Sequence, residues 1–148
     1  MTRLKIKQGD WVVVCDGRKA LILQNAGDEM FPNLQTREVY EQKNPDTHEQ
    51  GTDAPGRSIN SVGQARSAME QTDWHEEQEK AFLNDLTGRL DAAIGAGEVK
   101  SIYVVAPPRA LGILRQAYSP QLKQAITKEI DKDFVKLPVY EIEKHLAA

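Results

Sequence analysis

The stretch WVVVCDGRKALIL, residues 11–23, decides how the chain begins to fold. Two apolar runs flank Asp16-Gly17, a pair expected to supply the positive φ angles of a tight turn, so the stretch reads as a β-hairpin. Downstream, LQTREVYEQ (34–42) is a more polar third strand, expected at a sheet edge where one side stays wet. From Lys43 to about Asp73 the chain is rich in Gly, Pro, Asp, Asn and Ser, and reads as one long polar loop at about 44–72. Thr72-Asp73, with Glu76 following, offers the start of a helix. Leu83, Leu86, Leu90, Ala93 and Ile94 then share one face at helical spacing, and Gly95 and Gly97 end the element. SIYVVA (101–106) is a continuous apolar run, as for a strand covered on both faces. Pro107-Pro108 cannot continue a central strand but fits a first helical turn. Leu111, Leu114 and Tyr118 give that helix its apolar side, and Ser119-Pro120 restarts a short second piece. AITKEID (125–131) alternates as a strand, and Pro138 opens a last helix with Val139, Ile142 and Leu146 inward.

The expected order is therefore βββ-α-β-α-β-α, an α/β chain with one mixed sheet and helices packed against it. At 148 residues a single domain is expected. Hydrophobic residues make up 40% and charged residues 28%, within the range of water-soluble globular chains. The net charge of -3 provides no global field toward nucleic acid or an anionic membrane, so any RNA contact requires a local basic patch. A lone cysteine, Cys15, excludes an internal disulfide and fits a reducing cytosol. No apolar leader opens MTRLKIKQGD and no run approaches a membrane span, so a cytoplasmic protein is expected. No repeat and no cofactor motif is found, neither a glycine-rich nucleotide loop nor a serine elbow.

WVVVCDGRKA, PGRSINS, SAMEQTD, VVAPPRALGILR and EIDKDFVKLP, in that order, resemble the bacterial host-attachment protein family. The resemblance covers nearly the whole chain from Trp11 to Leu146. It implies a relative of the central domain of archaeo-eukaryotic release factors, with a ribonuclease-H-like layout, working in the cytoplasm with the ribosome or RNA as candidate partner. Val62-Gly63-Gln64 stands where those factors carry the Gly-Gly-Gln tip that hydrolyses peptidyl-tRNA, with Gln64 placing the water. Val62 replaces the first glycine, and a β-branched residue resists positive φ. The primary reading is therefore a non-enzymatic binding protein. One alternative is a peptidyl-tRNA or related ester hydrolase using Gln64. Another is a protein-interaction module that pairs through the edge strand 34–42.

Arg57, Gly63, Gln64, Arg66 and Arg109 are the candidate binding residues. APPRALG (106–112) sits at the end of a central strand and opens a helix, where free N–H groups favour an anion. The same dipole disfavours Arg109 in a first turn, so an acidic partner is expected, with Asp131, Asp133 and Asp16 as candidates. A two-metal nuclease site would need a further carboxylate where Arg109 stands near Asp16, and a cation there opposes metal binding. HEEQE lacks the second histidine of a zinc helix, leaving His75 a solvated first-turn residue. Asp46, His48, Glu49 and Asp53 match no metal-ligand spacing. Cys15 reads as inert core, Trp11 and Trp74 as packing anchors, and Arg115 as a surface or paired residue.

Overall fold

The computed structural model describes residues 5–42 and 67–147, with the side chains of 67–74 and 147 left aside. Strands β1 (Trp11–Cys15), β2 (Lys19–Asn25) and β3 (Leu34–Glu41) come first, followed by helix α1 (Ser67–Gly95). Then come β4 (Ile102–Ala106), α2 (Pro108–Ala117), α3 (Pro120–Ala125), β5 (Ile126–Asp131) and α4 (Val139–Ala147). The five strands form one mixed sheet in the order β3-β2-β1-β4-β5. β1 is antiparallel to β2 and β2 to β3, whereas β1–β4 and β4–β5 are parallel. The expected third strand does lie at an edge.

The central strands are apolar on both faces because both faces are covered. Trp11, Val13 and Cys15 of β1, with Ala20, Ile22, Ile102, Val104 and Ala106, face one way. They meet Leu83, Leu86, Leu90 and Ala93 of α1, Ala110, Leu111 and Leu114 of α2, and Leu122 of α3. Val12, Val14, Leu21, Leu23, Tyr103 and Val105 face the other way, against Val135 and against Ile142 and Leu146 of α4. Adjacent residues on a strand point to opposite faces, so one unbroken apolar run feeds two cores.

Two expectations are corrected. The hairpin is real, but its turn uses no positive φ: among the described residues only Gly9 (φ 85°) and Gly97 (φ 78°) have one. Instead, the Asp16 carboxylate accepts from the backbone N–H groups of Arg18 (2.7 Å) and Lys19 (2.8 Å), and the side chain folds the turn. Secondly, α1 begins at Ser67, so Thr72-Asp73 lies within the helix, His75 is not in its first turn, and the polar stretch is shorter than 44–72. Ala68, Met69, Glu70 and Gln71 are good helix formers, and no Gly or Pro separates them from the apolar stripe. In addition, β3 is bulged opposite Ile22/Leu23, which puts the consecutive Arg37 and Glu38 on the α1 side.

Helix α1 stops as expected. Gly97 donates its N–H to the Ile94 carbonyl and Glu98 donates to that of Ala93, the paired bonds of a Schellman cap.

Candidate functional site

The carboxyl ends of the parallel strands β1 and β4 open into a cleft of about 310 Å³ between the β1–β2 turn, α1 and α2. Its floor is apolar, from Leu83, Pro107, Ala110 and Ile113, and its rim carries Asp16, Arg18, Glu79 and Arg109. Each rim group has a local cause. β1 ends at Cys15, and the Asp16-capped turn lifts Arg18 to the surface, where it is exposed. Pro107 and Pro108 terminate β4 and start α2, which has no side-chain cap and no acidic residue in its first turn.

Arg109 stands at that helix start with its side chain 62% exposed. Its guanidinium lies 3.1 Å from Glu79 and 3.6 Å from Glu76, both on α1. The offset to the unfavourable dipole therefore comes from the crossing helix, and not from Asp131, Asp133 or Asp16 as the sequence suggested. Glu79 also closes against the turn: a Cβ on Gly17 would lie 2.8 Å from its Cγ and Cδ, so the glycine leaves room for the carboxylate.

The chain leaves β3 at the same end of the sheet. Gln42 donates its backbone N–H to the Arg18 carbonyl (2.8 Å) and its side-chain Nε2 to the Gly17 carbonyl (2.9 Å). Glu76 and Glu79 bring α1 past the same place. Arg57, Gly63, Gln64 and Arg66 lie outside the described residues, as do Asp46, His48, Glu49 and Asp53. Of the candidate binding residues, Arg109 is the one the structure places.

Two further charged clusters were not legible in the sequence. On the α1 side of β3, Arg89 grips Glu38 with two bonds, Nε at 2.9 Å and Nη2 at 2.6 Å. Arg37 and Arg89 both reach Glu98, at 3.1 and 3.2 Å. The hydrogen bond from Arg89, more than any other contact, holds the Glu38 carboxyl below the usual range, and Tyr40 also donates to it. On the β5 side, Arg115 bonds Glu129 (2.8 Å), which also accepts from the Tyr118 hydroxyl (2.9 Å). Burial, and then that bond, push the Tyr118 phenol well above its ordinary value. These groups are satisfied by one another. Cys15 is fully buried, and burial pushes its thiol up to about 12, so it carries no nucleophile at neutral pH. Among the described residues no three of His, Cys, Asp and Glu gather so as to hold a metal ion, and no helix is long and apolar enough to cross a membrane.

The sequence profile of the family described as "Protein required for attachment to host cells" matches residues 11–146. The chain belongs to this host-attachment family. No curated protein matches it.

Proposed function

We propose that this host-attachment family member is a non-enzymatic cytoplasmic binding protein that contacts RNA, or the ribosome through its RNA, at the carboxyl end of β1 and β4. The observation that carries the reading is the placement of Arg109. It is an exposed guanidinium at an uncapped helix start, facing Arg18 across a cleft at the end of a parallel strand pair. A strand-end crevice is where open α/β sheets bind ligands, and free helix N–H groups with guanidinium forks suit phosphate oxygens. Arg57, Gly63, Gln64 and Arg66 are the further candidate contacts of the proposal, on the stretch 43–66 between Gln42 and α1. The βββ-α-β layout and the Gly63-Gln64 pair ahead of α1 support a release-factor-like manner of contact.

Glu76 and Glu79 do not prevent this. Exposed ion pairs are worth about 1 kcal/mol or less, so a phosphate can take Arg109 from them at little cost. The test is fluorescence anisotropy with a labelled single-stranded RNA at low ionic strength. Binding is expected to weaken as salt rises, and Arg109→Glu should weaken it by about tenfold through loss of a charge-assisted bond. An unchanged affinity in Arg109→Glu overturns the assignment.

A further inference from the structure

The Arg109 cleft already holds an anion of the chain's own. Of the two α1 carboxylates beside the guanidinium, Glu79 is the nearer, at 3.1 Å against 3.6 Å for Glu76. Its side chain is also the less exposed, 23% against 47%, and it lines the cleft with Arg109 and Arg18. Its place there depends on Gly17. A Cβ on Gly17 would stand 2.8 Å from Glu79 Cγ and Cδ and 3.1 Å from Oε2, so a side chain in the turn would push the carboxylate aside. The backbone does not ask for glycine, because φ at Gly17 is not positive. The turn is held by the Asp16 carboxylate and by Gln42 on the Gly17 carbonyl, and neither contact requires a bare Cα. What the glycine supplies is room for Glu79. Across the cleft, Arg18 is exposed and has no ion-pair partner among the described residues.

We infer that Glu79 is a built-in competitor for the anion position: it neutralises Arg109 in the free protein and yields to an anion that spans Arg109 and Arg18. This role rests on the reading of the cleft as an anion site. A competitor fixed in the chain lowers the affinity of every anion for Arg109 by the same factor. An anion with a single contact regains at Arg109 only what Glu79 gives up. A row of phosphates also gains Arg18, which has no ion pair to lose, and the free N–H groups at the start of α2. The pair therefore keeps the cleft closed to small monoanions at low concentration and leaves it open to a chain of phosphates.

The test is an NMR titration of the ¹⁵N-labelled protein with inorganic tripolyphosphate, read at the backbone amides of Arg109, Ala110 and Leu111, with labelled single-stranded RNA measured alongside. Glu79→Gln keeps the size of the side chain and should bind tripolyphosphate about fivefold more tightly, the most that release of one exposed ion pair allows. Gly17→Ala changes no charge and should tighten binding in the same direction by displacing the carboxylate. Added to Glu79→Gln it should gain little more, because both changes release one guanidinium. Glu77→Gln removes the same charge from an exposed α1 residue that does not pair with Arg109, and should have far less effect. Unchanged or weaker binding in Glu79→Gln, an equal gain in Glu77→Gln, or no shift of these amides in either wild type or Glu79→Gln would overturn the role. Tripolyphosphate binding that tightens in Glu79→Gln while RNA fails to bind supports the competitor and removes the RNA reading.

Discussion

Trp11→Ala is expected to cost about 4 kcal/mol of stability, the upper range for truncating a buried aromatic. The indole is fully buried in β1, with β2 on one side through Gln24 and β4 on the other through Ile102. It packs into the core shared with α1, α2 and α3. Its ring also lies under two guanidiniums, Arg37 at 5.0 Å and Arg89 at 5.7 Å. These are the cations that hold Glu38 and Glu98, so truncation opens a cavity and removes the platform of an ion-pair network. With domains of this size stable by roughly 5–15 kcal/mol, the variant should lie near the edge of folding. Trp11→Phe makes the account specific. It keeps an aromatic face beneath the arginines and removes an indole N–H that has no acceptor, so it should cost less than half as much. Urea denaturation of the three proteins measures both, and equal losses for Phe and Ala would contradict it.

The second large effect is expected at Gly27. A Cβ there would lie 2.2 Å from the Phe31 carbonyl oxygen and 2.9 Å from the Asn33 nitrogen, both backbone atoms that no rotamer change can clear. The loop would have to open, and it is held by Asn25. The Asn25 Oδ1 accepts from Gly27 N–H (2.9 Å) and Asn33 N–H (2.8 Å), and its Nδ2 donates to the Ile6 carbonyl (2.9 Å). One buried amide thus joins the segment before β1 to the β2–β3 loop. Gly27→Ala should cost about 3 kcal/mol, combining overpacking with strained or lost hydrogen bonds. Asn25→Ala should cost a similar amount by stranding the same backbone groups. Because they damage one unit, the double variant should lose clearly less than the sum. Full additivity in denaturant midpoints would show that the two act separately.

These residues also show where the sequence was readable. The β1–β2 hairpin, the doubly covered β4, the Pro107-Pro108 junction and the Gly97 stop follow from local patterns whose physics is local. Asp16 marked the turn correctly, but through its carboxylate instead of through φ. The start of α1 was misplaced because the polar composition before it was extended across 67–72, where helix formers take over. Asn25 carried no periodic or spacing signal, since its partners at Ile6 and Asn33 are set by tertiary packing. The same holds for Arg109. Its place at a helix start could be read from Pro107-Pro108, but its partnership with Glu76 and Glu79 depends on how α1 crosses α2. The bulge that places Arg37 and Glu38 over the Trp11 face is a matter of strand register, invisible in one strand's sequence.

The measurement that bears most directly on the central claim is co-sedimentation with ribosomes on a gradient across a salt series, for wild type, Arg109→Glu and Gln64→Ala. The account predicts association at low salt that declines as salt rises and is reduced in Arg109→Glu. Absence of the protein from the ribosomal fractions at the lowest salt, or association indifferent to Arg109→Glu, would contradict it.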